Sequence, residues 1–334
     1  RQGDPLSGSR SGAKPGVPPL LVAVIVSFGT LFETMNSTGL SVALTALAGD
    51  LASSAEESDT VLTAYLIANA AVLPLSGWAS VYFGRKVFYI TCVIMFTIAS
   101  ALCAIAWDQQ SLIIFRIIQG MAAAGNAACE TSLIGDTMPP GKRGLGFAIY
   151  GLAVVLGPTI GPVYGGWVVD NFDWRWIFWV NVPTGIAAAV TSMLLLQDTA
   201  AVREQTQAKQ GEGFKLDWIG LLLAAIGLGS LCYIFDRGQT HDWFDSGRIV
   251  AASVVCAVCL LLLPVRELTA HEPLLELRLL ANRNLGLSCL LLLLTGAILF
   301  GAPAILPLVT QEIFDYTPTL AGFINGSGGL SVLL

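Results

Sequence analysis

The sequence predicts an all-α polytopic membrane protein, and three observations carry that prediction. The 334 residues are 54% hydrophobic and only 12% charged, whereas about a quarter of the residues in soluble domains are charged. Apolar runs long enough to cross a bilayer, about 20 residues each, recur along the whole length. One run, Gly151 to Trp167 (GLAVVLGPTIGPVYGGW), has glycine at three positions four residues apart and two internal prolines, a composition of little use to a soluble core helix.

The runs fall at about 20–46, 60–80, 88–106, 111–136, 144–167, 177–196, 217–235, 248–265 and 284–310, with another beginning near 319. The tenth reaches Leu334 without a polar flank and the first residue is Arg1. A fragment with nine complete transmembrane helices and part of a tenth is therefore expected. Most of the 17 Lys and Arg residues lie on the side of the N-terminus, among them Arg85, Lys86, Lys142, Arg143, Arg203, Lys209 and Arg266. This bias orients the N-terminus towards the cytoplasm, with the chain integral to the cytoplasmic (inner or plasma) membrane. The net charge of −6 comes largely from outer-loop acids such as Asp50, Glu56, Glu57 and Asp59, and no nucleic-acid partner is expected.

Composition divides the chain further. Residues 1–17 are rich in Gly, Pro and Ser and read as a disordered cytoplasmic tail. Residues 18–196 hold six spans, expected to form a bundle. Residues 197–216 are polar and Gln-rich and read as a flexible cytoplasmic linker. Two additional helices occupy 217–265, an amphipathic cytoplasmic segment 266–283, and the incomplete start of a second bundle 284–334. All seven cysteines fall in apolar runs, and Cys256-Ala-Val-Cys259 lacks nearby histidine, so they read as small buried hydrophobes. Neither a metal nor a cofactor is expected.

In the fifth run, Gly157, Gly161 and Gly165 share one helix face, where a neighbouring backbone can come very close. Pro158 and Pro162 leave carbonyls that packed helices or a cavity must satisfy; Gly166 adjoins this face. Arg116 lies inside the fourth run, where a charge normally faces a cavity or a partner, although snorkelling to the near surface is an alternative.

Several motifs together resemble the major facilitator superfamily, specifically its drug:proton antiporters with fourteen helices. Gly77-Trp-Ala-Ser-Val-Tyr-Phe-Gly84-Arg85-Lys86 resembles the cytoplasmic loop motif between spans two and three. Arg116-Ile-Ile-Gln119-Gly120 resembles the R-x-x-Q-G motif of span four, and Gly157 to Gly166 the antiporter motif of span five. Trp174-Arg175-Trp176-Ile177-Phe178, Asn181-Val182-Pro183-Thr184-Gly185, Asp217 with Gly220, and Asp236-Arg237-Gly238-Gln239 extend the resemblance from Phe32 to Leu334. It implies the major facilitator fold and secondary active transport rather than enzymatic activity.

The resemblance assigns expectations to residues. Gly77, Gly84, Arg85 and Lys86 would form a conformational latch to helix ends and carboxylates of the neighbouring half, or else act only as positive-inside anchors. The family usually has Asp–Arg where this chain has Val81 and Tyr82, so part of the latch is absent or replaced. Many members carry an aspartate at Asn36, which cannot titrate. Glu33, one turn earlier, is the replacement candidate for proton coupling, with Arg116 and Glu130 along the same path; either acid could instead be a hydrogen-bonded packing residue. Phe32, Met35, Asn36, Asn69, Gln119, Met121 and Asn126 are candidates for a substrate cavity, against a simple packing role.

Export of lipophilic or cationic compounds against protons is the leading expectation. Export of one endogenous metabolite, lipid or antibiotic, and a non-transporting receptor or scaffold, are the alternatives. A membrane-embedded enzyme finds no H-E-x-x-H, G-x-S-x-G or phosphate-loop string to support it. Similar exporters in some bacteria dock to a periplasmic adaptor and outer-membrane channel, a partnership the resemblance allows.

Overall fold

The computed structural model describes residues 18–51, 55–211, 213–214, 216–239, 242–270, 274 and 276–332. The tail expected to be disordered (1–17) lies outside the described residues. Helix α1 (Pro19–Val42) begins with proline at its first position, where no intrahelical N–H is needed. A one-residue break at Ala43 leads into α2 (Leu44–Asp50). Helix α3 (Ala55–Phe83) ends at Gly84, whose φ of +86° turns the chain directly into α4 (Arg85–Ala104); a side chain is disfavoured there. Asp108 caps α5 (Gln109–Thr137), accepting the Ser111 N–H at 2.7 Å while Ser111 Oγ accepts the Asp108 N–H at 3.3 Å.

After Pro139 and a short 3-10 turn, α6 (Arg143–Asn171) carries both prolines of the glycine-rich run. The four-residue α7 (Trp176–Trp179) leads into α8 (Asn181–Leu195). Then follow α9 (Ala200–Gly211), α10 (Trp218–Arg237), α11 (Gly247–Thr269), α12 (Arg283–Glu312) and α13 (Pro318–Val332). Among the described residues, eight spans are long and apolar enough to cross a membrane; α12, with 30 residues, is a ninth long helix.

The first six spans form one bundle. Helix α1 lies along α6, α3 along α5, and α4 between α5 and α8. Helices α10 and α11 pair with each other, and α10 rests on α3. Arg266 of α11 forks onto the Asp217 carboxylate at 3.0–3.2 Å, while that carboxylate also caps α10 through the Gly220 N–H. A Cβ at Gly220 would sit 2.8 Å from Glu267 Oε1 and 2.9 Å from Asp217 Oδ2, so a side chain there would displace these carboxylates.

Apolar clusters close the bundle at both ends. Leu40, Leu47, Leu112, Trp174 and Phe178 fill the Trp174 end, and Val22, Val26, Tyr89, Leu133 and Leu196 fill the Gly84 end. Polar side chains occupy the layer between.

Two sequence expectations need correction. The stretch read as a flexible tether contains α9, whose Val202 is buried and whose Gln210 donates to Tyr82 O at 2.9 Å. The run AAVREQTQAKQ is composed largely of good helix formers, and Thr199 receives the Val202 N–H at its start; Gln content alone was a poor guide. The segment 266–283 is not one amphipathic element. Helix α11 continues to Thr269, taking Arg266 with it, and among the described residues beyond it Leu277–Ala281 forms a 3-10 turn, with Leu279 and Leu280 exposed.

Candidate functional site

The site grows from one face of α5, where Arg116, Gln119, Asn126 and Glu130 follow at helical spacing. Arg116 is fully buried, which overturns the snorkelling alternative. Its Nε donates to Val61 O at 3.3 Å and Nη1 to Gln119 Oε1 at 2.7 Å. Gln119 passes the chain on to Ser100 Oγ at 2.7 Å. The guanidinium lies 4.2 Å from the Tyr65 ring centre and 5.9 Å from that of Phe178, replacing part of its lost hydration. Gly120 is steric: a Cβ there would collide with the Tyr65 carbonyl.

Below this cluster, α1, α4, α5 and α8 enclose a cavity that contains both candidate acids. Glu33, Glu130, Asn126 and Asn181 line it, with Phe28, Phe32, Tyr89 and Phe96 as apolar walls. Tyr65 Oη donates to Glu33 Oε1 at 3.4 Å and Asn126 Nδ2 to Glu33 Oε2 at 3.5 Å. Thr30, one turn from Glu33 on α1, donates to Glu130 Oε2 at 2.6 Å. A Cβ at Gly29 would stand 3.1 Å from Tyr89 Oη and 3.3 Å from Glu130 Oε1, so glycine admits both groups to α1. The lining residues include two acids and neither Lys nor Arg. The ionisable groups of the lining are therefore two carboxyls and a phenol.

Helix α6 makes contact through missing side chains. Cβ atoms at Gly157, Gly161 and Gly165 would run into Thr34 Oγ1, Thr38 Oγ1 and the Gly39 carbonyl of α1. Thr38 Oγ1 also donates to Gly157 O at 3.4 Å. On another face, Gly166 meets the Pro318 carbonyl, and Gly322 and Gly326 of α13 meet the Pro162 and Thr159 carbonyls. Polar contacts hold the Trp174 end of this assembly. Thr319 N–H donates to Asp170 Oδ2 at 2.9 Å, and Gln311 bridges Val42 O and Thr45 Oγ1 at 3.2 and 2.9 Å.

The sequence profile of the Major Facilitator Superfamily matches residues 26–334. The chain belongs to this superfamily. It is 36% identical over 300 residues to "Multidrug export protein EmrB" of Haemophilus influenzae, an alignment covering 90% of this chain and 57% of that one. It is also 36% identical over 296 residues to the EmrB of Escherichia coli K12 (89% and 56% covered), and 35% over 298 residues to "Fatty acid resistance protein FarB" of Neisseria gonorrhoeae (89% and 57%). The chain thus spans a little over half the length of these relatives. They bear out the resemblance to drug:proton antiporters with fourteen helices. The crystal structure of the POT family transporter PepTSo shares the fold, with a TM-score of 0.50 and 17% identity over 73% of this chain and 52% of that one.

Within this superfamily transporter the remaining candidates are dispersed. Asn36 is buried and donates to Ile177 O at 3.1 Å, joining α1 to α7 outside the cavity. Gln119 is occupied at both ends of its amide. Met35 lies on the α1–α6 seam, its backbone beside Gly157 and Gly161. Asn69 sits half-buried one turn beyond Tyr65. Met121 faces away from the chamber, into an apolar depression with Trp78, Phe83, Phe88 and Met95. Of the seven candidate cavity residues, Phe32 and Asn126 line it.

Arg85 and Lys86 of the loop motif find partners within the first bundle. Arg85 pairs with Asp136 and donates to Ser132 O at 3.1 Å at the end of α5. Lys86 Nζ donates to Met193 O at 2.9 Å, and its backbone N–H to Asp198 Oδ1 at 3.0 Å. Carboxylates from Asp136 and Asp198 thus stand around the turn whose own loop offers Val81 and Tyr82. A Cβ at Gly77 would meet no atom within 4 Å among the described residues, so packing does not account for that glycine.

At the opposite end, Arg175 pairs with Asp50 at 2.7 Å and Asp173 at 3.2 Å, and its guanidinium lies 4.5 Å from the Trp174 ring centre. Trp174 Nε1 donates to the same Asp50 carboxylate at 3.1 Å. The Arg175 hydrogen bond holds the Asp50 carboxyl below the usual range. The sequence did not single out Thr30, Tyr65 and Tyr89, and it gave Asn181 as part of a motif without a place in the cavity. Thr30 was accessible as a polar residue one turn from Glu33; a tyrosine in an apolar run offers no comparable signal.

Proposed function

We propose that the intact protein is a secondary exporter that exchanges protons for lipophilic cations across the cytoplasmic membrane, with its Gly84 end facing the cytoplasm. One observation carries the reading: two carboxyls share an aromatic-walled chamber with neither Lys nor Arg in its lining. Protons and an organic cation would compete for that negative capacity, which is the linkage an exchanger needs. The glycine faces of α6 support a moving interface on either side. The names of the EmrB relatives agree with export of more than one compound. The Lys and Arg distribution supports the orientation.

The test uses inside-out vesicles containing the intact protein. Uptake of a cationic dye under an imposed proton gradient is compared for wild type, Glu33→Gln and Glu130→Gln, with a proton ionophore as control. Gradient-dependent uptake that disappears in either variant while dye binding persists assigns coupling to that acid. Wild-type uptake indifferent to the gradient would remove the antiport reading. The FarB relative favours a second reading, export of a single lipid class; competition of a fatty acid with the dye distinguishes it.

A further inference from the structure

We infer that Tyr65 is the positioning residue through which the buried Arg116 acts on Glu33. The inference rests on the proton-coupled reading above and assigns the connection within it. Arg116 is the cation near the chamber, yet it donates to Val61 O and Gln119 Oε1 rather than to an acid. The side chain between cation and acid is Tyr65. Its ring lies under the guanidinium at 4.2 Å and its hydroxyl donates to Glu33 Oε1 at 3.4 Å.

Three further features hold the phenol in this place. Gly120 admits the Tyr65 backbone against α5, since any Cβ there would strike the Tyr65 carbonyl. Arg116 also grips Val61 O, one turn before Tyr65 on α3. Tyr65 itself is only 5% exposed and packs with Phe96, Ala122 and Ala123. The arginine of the span-four motif thus lies on the Tyr65 ring, its glycine fits the Tyr65 backbone, its glutamine holds the arginine, and the phenol touches the acid.

The groups that face Glu33 define what Tyr65 can do. Glu130 approaches from α5, Tyr89 and Cys92 from α4, and Tyr150 from α6; Asn126 is a neutral donor. Arg116 is not in that set, and it meets Tyr65 directly, so the cation's influence reaches Glu33 across the polarised phenol. Tyr65 O–H donates to the Glu33 carboxylate and so favours the deprotonated form over the protonated one.

The decisive measurement is the pH dependence of tetraphenylphosphonium binding to the intact protein in detergent. In wild type, protons displace the bound cation as pH falls. Tyr65→Phe keeps the ring and removes the donor. The displacement midpoint should move about one pH unit upward, with affinity at high pH unchanged. Arg116→Gln should also move the midpoint upward in wild type, but by much less in the Tyr65→Phe background, because both act through the same hydroxyl. Tyr65→Met is the reserve variant if Tyr65→Phe does not fold, with the same upward shift expected. An unmoved midpoint, or equal Arg116→Gln shifts with and without the hydroxyl, overturns the assignment while wild-type competition leaves the exporter reading standing. Wild-type binding insensitive to pH overturns both.

Discussion

Helices α5 and α6 have the same length, 29 residues, and solve opposite problems in one bundle. Helix α5 buries Arg116, Gln119, Asn126 and Glu130, and each needs a partner at a defined distance. Its neighbours are therefore chosen by chemistry: Val61 O, Ser100 Oγ, Glu33 and Thr30. Helix α6 presents backbone on two faces, so its neighbours α1 and α13 are chosen by shape. Directional hydrogen bonds hold one geometry, whereas glycine seams accept a range of closely spaced ones. The difference separates a helix suited to holding charge from one suited to moving.

The sharpest way to break that contrast is to put side chains on α6. Gly165→Val drives methyl groups into the Gly39 backbone and should destabilise the bundle by about 3 kcal/mol, the upper part of the overpacking range; thermal unfolding of the purified protein reads it. Gly77→Ala is the matched control. Its Cβ meets nothing within 4 Å among the described residues, so stability should hold or rise by about 0.5–1 kcal/mol as helix propensity improves.

On α5, Arg116→Met keeps much of the volume but abandons Gln119 Oε1 and Val61 O. A loss of about 1–3 kcal/mol is expected, with unfolding measurements as the check; an unchanged melting point would show that the buried cation contributes nothing to the bundle. Glu130→Gln retains an acceptor for Thr30, so stability should change by less than about 1 kcal/mol while gradient-driven dye uptake fails. Equal loss of folding and uptake would instead make Glu130 a packing residue.

The smallest effect belongs to the exposed cluster at the Trp174 end. Asp50→Asn should cost between about 0 and 1 kcal/mol and less at high salt. Because Arg175 holds the folded Asp50 carboxyl below its ordinary range, its contribution is complete above the unfolded value of about 3.9. The contribution is lost as pH falls through the folded value, so wild type and variant should converge in acid.

The two helices also differ in how far they could be read from the chain. The every-fourth glycines of α6 announced a close approach, yet they named neither partner, and Gly166, Gly322 and Gly326 reveal a second face only once α13 is docked. On α5, Arg116 and Glu130 stood out because charge inside an apolar run is costly. For Met121 and Gln119, helical spacing gives a face without saying what lies opposite it. Asn36 illustrates the same point: its partner, Ile177 O, is 141 residues away. The α9 helix was hidden by composition that serves helices and tethers alike.

By itself the sequence determined the membrane solvent, the succession of spans and the superfamily, because hydropathy and ordered motifs are local properties. Only the tertiary structure decided that Glu33 and Glu130 share one chamber, that Tyr65 stands between Arg116 and Glu33, and that the Gly84 turn is tied to Asp136 and Asp198. Those facts depend on which helix faces are pressed together. That choice is made by packing and hydrogen-bond satisfaction between residues far apart in the chain, where local pattern carries no information.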